Sequence, residues 1–326
     1  MIYKIKEFII RRLRFPRSGI IYRIGRALYK KMVVASDKKL EKKMSAARSI
    51  LRHNDNIVSI TIDRNSGSIY QFPHGKFRYS DYDNPEDLLG SIIRSGSHNY
   101  DEDSELFSKL IKSGDTVMDI GANFGWYTMD FARLNAPNGL VFAFEPTPEA
   151  YRNLTENVRL NGLDSPPRVI SINSAVGGEK GKTKIYIPRK LGSAFATLNP
   201  STIKKDFVDL EATEVYKTTL DEFLATSANA PKHIDFIKCD VEGAELEVIK
   251  GARKTLSGEH PPLLYVEVNE NKNRSDGIFA TMKNLGYDAY YLENNRLKPF
   301  EQKTDIIFRD ILFAKDDAKI KHLISR

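Results

Sequence analysis

The chain has 326 residues, 41% of them hydrophobic, which suits one large domain or one domain with an extension. A single cysteine, Cys239, excludes an internal disulfide framework and points to a reduced, cytoplasmic setting. The net charge of +7 is uneven: residues 1–53 hold sixteen Lys/Arg against three Asp/Glu, so the remainder is acidic overall. No stretch reaches the roughly 20 apolar residues that span a bilayer. Basic residues interrupt the N-terminal apolar stretches, so no signal peptide is expected.

Residues 1–31 read as amphipathic, basic helices. Ile2, Ile5, Phe8, Ile9 and Leu13, then Ile20, Ile21, Ile24 and Leu28, fall near helical spacing, and Pro16 separates two segments. Lys and Arg lie between them, which suits an anionic membrane surface. A helix packed on the body, or on a second copy of the chain in a homo-oligomer, fits equally well. Residues 37–52 continue as a basic helix, closing an extension of residues 1–53.

Residues 54–95 then form a small β meander and a linking helix. Val58–Ile62, Ser68–Phe72 and Lys76–Ser80 alternate at period two, with turns at Asn65-Ser-Gly67 and Pro73-His-Gly75. A helix starts at Asp83-Asn84-Pro85, and His98 stands at the edge of the body. Ser104 caps a helix through Leu110.

The stretch Asp115-Thr-Val-Met-Asp-Ile-Gly-Ala-Asn-Phe-Gly125 organises the rest. Its apolar run reads as a buried parallel strand, and Gly121 and Gly125 allow a tight turn close to a ligand. A helix follows from Trp126 to Leu134. Leu140–Phe144 is a second strand, ending in Glu145, an acid placed to accept bonds from ribose hydroxyls. The spacing is neither the dinucleotide fingerprint nor a P-loop. Asp119, the glycines and Glu145 therefore describe a site for a nucleoside without a pyrophosphate, which S-adenosylmethionine fits. Asn123 adds a side-chain or backbone contact. Pro146 and Ala175 complete the cofactor-binding candidates on this side.

Helix and strand alternate onward. Pro148–Leu160 is a helix stopped by Asn161-Gly162, and Arg168–Ile172 is a strand. Lys182–Ile187 and Ala212–Lys217 are short strands around a loop, and Thr219–Ala225 starts a helix. Ile234–Cys239 is a strand ending at Asp240, and Glu245–Leu256 is a helix. Pro262–Val268 is a strand and Asp276–Leu285 a helix, before late strands at Asp288–Leu292 and Ile311–Ala314. The order implies an α/β, doubly wound sheet with its site at the strands' C-terminal ends.

Val117–Thr128, Phe144-Glu-Pro146, Thr219-Leu-Asp-Glu-Phe223 and Ile234–Glu245 together resemble the FkbM family of S-adenosylmethionine-dependent O-methyltransferases. The resemblance covers roughly residues 95–315. It implies the class I methyltransferase, Rossmann-like fold over residues 96–326, with a seven-stranded sheet whose last strand is antiparallel. It also implies methyl transfer to a hydroxyl, often on a sugar or secondary metabolite. The family's Tyr-Glu before the first strand corresponds to Tyr100-Asp101, which joins the donor-binding set. Where the family often has Glu-x-His, this chain has Glu267-Val-Asn269.

A hydroxyl must be aligned with the donor methyl and relieved of its proton. Acids at strand ends are the candidates for that role: Asp240 first, then Glu242 and Glu267. The plainer role for Asp240 is a helix N-cap, and for Glu245 a first-turn helix acid. The same acids, with Asn269, offer the hard oxygen ligands that Mg²⁺ takes. Ser193–Thr197 is placed to border the acceptor, or simply to lie in solvent.

The leading expectation is a cytoplasmic O-methyltransferase of glycans or lipid-linked glycans, resting on the inner membrane face through residues 1–31. Secondary metabolites or nucleic acid are alternative acceptors. The acidic body and the absence of an Asn/Asp-Pro-Pro-aromatic signature oppose nucleic acid. A non-catalytic donor-binding scaffold for glycan assembly is the third reading.

Overall fold

A computed structural model describes residues 8–11, 38–54, 56–62, 68–79, 92–93, 100–165, 168–189, 192–200, 209–268, 272–300, 309–315 and 320–324. The chain divides into two compact units, Met1–His98 and Asn99–Arg326.

In the first unit, β1 (Phe8–Arg11), β2 (Ser59–Ile62), β3 (Ser68–Gln71) and β4 (Lys76–Tyr79) form an antiparallel sheet in that order. Period-two alternation buries Ile60, Ile62, Tyr70, Phe77 and Tyr79. Helix α1 (Lys38–His53) buries Met44 and Ala47. Asn54 donates through Nδ2 to the carbonyls of Ile92 and Ile93. Strand β1 corrects the expected helix over residues 1–31. Phe8-Ile9-Ile10 is an aromatic and β-branched run, which favours a strand once β2 offers an edge. The rest of that segment, the helix from Asp83, and His98 lie outside the described residues.

The second unit opens with α2 (Tyr100–Leu110), so Ser104 lies inside that helix and does not cap it. Then come β5 (Thr116–Ile120), α3 (Trp126–Leu134), β6 (Leu140–Phe144), α4 (Pro148–Leu160) and β7 (Val169–Ile172). β8 (Ala175–Val176), β9 (Gly181–Pro188) and β10 (Leu210–Thr218) follow. After α5 (Leu220–Thr226) and β11 (Phe236–Cys239), the expected single helix Glu245–Leu256 is two, α6 (Glu245–Lys250) and α7 (Arg253–Ser257). The break falls at Gly251, where a Cβ would lie 2.0 Å from the backbone oxygen of Gly177. β12 (Leu263–Val268), α8 (Lys272–Asn284), β13 (Asp288–Glu293), β14 (Arg296–Pro299) and β15 (Arg309–Ala314) complete the unit.

The main sheet has the order β14-β13-β15-β12-β11-β5-β6-β7. β7, β6, β5, β11 and β12 run parallel, and β15 enters antiparallel between β12 and β13. This is the α/β class I arrangement of seven strands with an antiparallel last strand. An eighth strand, β14, extends the edge as a hairpin with β13. Its turn is Asn294-Asn295, both at positive φ, as a two-residue hairpin turn requires. β8, β10 and β9 make a separate small sheet around Ala175, Ile185 and Val215.

Each face of the main sheet is sealed by helices. Met118, Ile120, Phe142, Ile237, Cys239, Leu264 and Val266 pack with Leu220, Val248, Leu256 and Phe279 from α5, α6, α7 and α8. On the opposite face, Phe107 of α2 is fully buried and meets the rings of Tyr127, Phe131, Phe236 and Tyr265. The strand order reverses between β5 and β11, so a crevice opens at their C-terminal ends.

Candidate active site

At that reversal the glycine turn meets the end of β11. Gly121 has φ +87°, and a Cβ there would lie 1.8 Å from the backbone oxygen of Asp240. Only glycine permits this approach. Asn123 adopts φ +50°, and its backbone N–H donates to Glu145 Oε2 at 2.9 Å. Glu145 Oε1 accepts from the Thr147 N–H at 2.7 Å and hydroxyl at 2.6 Å. A carboxylate has about four lone-pair sites, so these three bonds leave room for one more. Burial pushes Glu145 up to about 7, against those hydrogen bonds.

Asp119 is 1% exposed. Thr128 donates its hydroxyl to Oδ2 at 2.5 Å, while Oδ1 is buried with no partner. Burial raises its pKa above the ordinary value, with Lys238 pulling it back. Pro146 is half-buried behind Glu145, and its carbonyl accepts from Asn173. Gly125, at φ +92°, stands against Leu154 of α4. Ala175 has its side chain in the core of the small sheet. Tyr100 and Asp101 open α2; their side chains, like Asn269, lie outside the described residues.

The acid candidates do converge. Strand register sets Asp119, Lys238 and Tyr265 side by side, and pairs Glu267 with Asp310. Asp240 and Glu267 lie two residues beyond Lys238 and Tyr265, hence on the same face. Asp240, Glu242 and Glu267 each bring a carboxylate oxygen within 4.8 Å of the others. Lys238 Nζ donates to Asp240 Oδ2 at 3.0 Å and stands 4.8 Å above the Tyr127 ring. Asp103 of α2 accepts from Tyr265 at 2.6 Å and Tyr127 at 3.0 Å. Burial, then the charge of Asp240, raises both Glu242 and Glu267 far above the carboxylate range. Burial and Asp103 push Asp310 up to about 7.

Asp240 is not an N-cap, because α6 begins five residues later behind Ala244. Glu242 at φ +51° and Gly243 at +98° carry the chain across instead. Glu245 Oε1 accepts from the Val241 and Gly243 N–H groups, so this acid secures the loop. The loop after β9 reaches both halves of the site. Ser193 donates to Asn123 Oδ1 at 3.2 Å, and Thr197 donates to the Glu242 carbonyl at 2.7 Å.

Lys238, Asp310, Asp103 and Tyr265 escape a reading of the sequence. Lys238 did leave a trace, a charge inside the apolar run Phe236–Cys239. Asp103 and Asp310 look like ordinary polar residues until the register and α2 bring them in.

Comparison with known proteins gives one family match and several distant relatives. The family described as the methyltransferase FkbM domain matches residues 119–289. "Methyltransferase 1" of Beauveria bassiana is 27% identical over 184 residues, covering 52% of this chain and 69% of that protein. "Hexuronic acid methyltransferase AglP" of Haloferax volcanii is 30% identical over 162 residues, covering 50% of this chain and 59% of that protein. Among solved structures, the methyltransferase FkbM of Methylobacillus flagellatus KT aligns with a TM-score of 0.39 at 17% identity. That alignment spans 62% of this chain and 44% of the other.

Proposed function

The chain belongs to the methyltransferase FkbM family, and from that premise we propose that it uses S-adenosylmethionine to methylate a hydroxyl of a sugar in a glycan or lipid-linked glycan. The observation that carries the reading is the contact of two sets of groups at one strand reversal. The glycine corner with Asp119 and Glu145 abuts the acids at the ends of β11 and β12 through Gly121 and Asp240.

The residues present fit the donor. Buried Asp119 Oδ1 lacks a hydrogen-bond partner, Glu145 retains one lone-pair site for a ribose hydroxyl, and Gly121 and Gly125 keep side chains out of the corner. When bound, the donor supplies an electrophilic methyl on a sulfonium. Asp240 is then the base for the acceptor hydroxyl, oriented by Lys238 at 3.0 Å. Glu242 and Glu267 each bring a carboxylate oxygen within 4.8 Å of Asp240 and border the acceptor oxygen beside that base. The three carboxylates also satisfy the ligand chemistry of Mg²⁺. Lys238 already places a cation on Asp240, so the reading needs no metal step.

The sugar acceptor draws support from the Haloferax volcanii relative, named for hexuronic acid. The basic residues of 1–31 suit an anionic inner membrane surface. No helix among the described residues is long and apolar enough to cross a membrane.

The test is mass spectrometry of glycans and lipid-linked intermediates from the source cell, with and without the gene. Loss of one methyl, restored by wild type and not by Asp240→Asn, is expected. In vitro, Asp240→Asn lowers methyl transfer by about 10²–10⁴-fold with donor affinity kept. Unchanged glycan masses in cells that make the protein would overturn the sugar assignment.

A further inference from the structure

Glu242 sits at φ +51°, a left-handed conformation that a β-carbon makes unfavourable. Such residues persist where surrounding bonds over-determine them, and they cluster at functional sites. Here the bonds come from two sides. Glu245 Oε1 accepts from the N–H groups before and after Glu242, at 3.3 Å and 2.8 Å. Thr197, 45 residues upstream, donates its hydroxyl to the Glu242 carbonyl at 2.7 Å.

Thr197 is itself fixed. It is 1% exposed, and its backbone exchanges both N–H···O bonds with Tyr186 of β9, at 3.0 and 2.9 Å. Its hydroxyl also accepts from the Asn199 N–H at 3.0 Å, and of the two carbonyls its proton can reach, that of Glu242 at 2.7 Å is nearer than that of Asn199 at 3.4 Å. A rigid strand thus reaches, through one hydroxyl, the strained residue that turns its carboxylate to Asp240 and Glu267.

We propose that Thr197 is a positioning residue: it holds Glu242 in the left-handed conformation and thereby keeps the Glu242 carboxylate in the acid cluster. The proposal rests on reading that cluster as the acceptor side of a methyl-transfer site. Thr197→Val keeps the shape and removes the donor, leaving the Glu242 carbonyl without this bond. Thr197→Ser keeps the donor and removes a methyl.

The experiment combines crystal structures of both variants with transfer of labelled methyl from S-adenosylmethionine to a lipid-linked glycan fraction. In Thr197→Val, Glu242 leaves the left-handed region and kcat falls about 10²-fold, the effect of a displacement near 1 Å. The KM for S-adenosylmethionine stays at the wild-type value, and Thr197→Ser recovers both geometry and kcat. An unmoved Glu242 in Thr197→Val overturns the proposal. So does a displaced Glu242 with full kcat, because the acid would then be idle. Failure of Thr197→Ser to recover assigns the effect to packing. Should the wild type transfer no methyl, the functional reading fails by itself, and the position of Glu242 in the valine variant still decides what Thr197 does.

Discussion

Gly121→Ala places a Cβ 1.8 Å from the backbone oxygen of Asp240 and 2.9 Å from its carbonyl carbon, at φ +87°. Two terms follow. Alanine at that φ costs about 1–2 kcal/mol. Forcing a methyl against backbone adds about 1–3 kcal/mol of overpacking, since the two segments must separate by about 1.5 Å to reach ordinary contact. The sum is about 2–5 kcal/mol. Gly114 supplies the control: its φ is +92°, but nothing lies within 4 Å of its Cβ position. Gly114→Ala therefore carries the backbone term alone, about 1–2 kcal/mol. Urea unfolding followed by the fluorescence of Trp126, the one tryptophan of the chain, measures both. Trp126 opens α3 beside the glycine turn and reports on the corner itself. Methyl transfer by Gly121→Ala falls about 10²-fold as well, because Asp240 moves away from the corner. Equal midpoints for the two alanine variants would refute the claim that contact between β5 and β11, rather than backbone strain, demands glycine.

Other expectations follow from the same geometry. Glu145 is raised by burial from 4.5 to about 7, so its contribution to stability is complete below about pH 4.5 and is lost as pH rises through about 7. The loss amounts to about 3 kcal/mol, and Glu145→Gln should make stability that much less steep between pH 5 and 8; an unchanged slope would show that Glu145 does not titrate in this way. Phe107 is fully buried against four rings, so Phe107→Ala costs about 3–5 kcal/mol in thermal or urea unfolding. A loss below about 1 kcal/mol would mean that α2 is not keyed to the sheet by this ring.

The glycine corner was legible because its signal is local. A short apolar strand, two glycines and an acid at the next strand end lie within about thirty residues, and each follows from backbone sterics or hydrogen bonding. The alternation of strands and helices likewise reported the doubly wound sheet, since period and burial are written along the chain. The acids Asp240, Glu242 and Glu267 were visible as strand-end residues on two strands expected to be neighbours, and the structure brings them within 4.8 Å of one another.

What the chain did not reveal depends on partners remote in sequence. Phe8–Arg11 has apolar spacing that fits a helix, and the edge of β2, about fifty residues away, makes it a strand. Glu242 was legible as a strand-end acid, but the hold of Thr197 and Glu245 on the backbone around it depends on residues that only the fold brings there. Lys238 pairs with Asp240 within one strand end, but register alone sets both beside Asp119, Tyr265 and Glu267. Asp103 joins through two tyrosines, Tyr265 lying 162 residues away. Local composition thus determined which segments turn, bury and carry acids. Strand order and helix packing decided which acids meet, because the interactions that gather them act through space and leave no periodicity in the sequence.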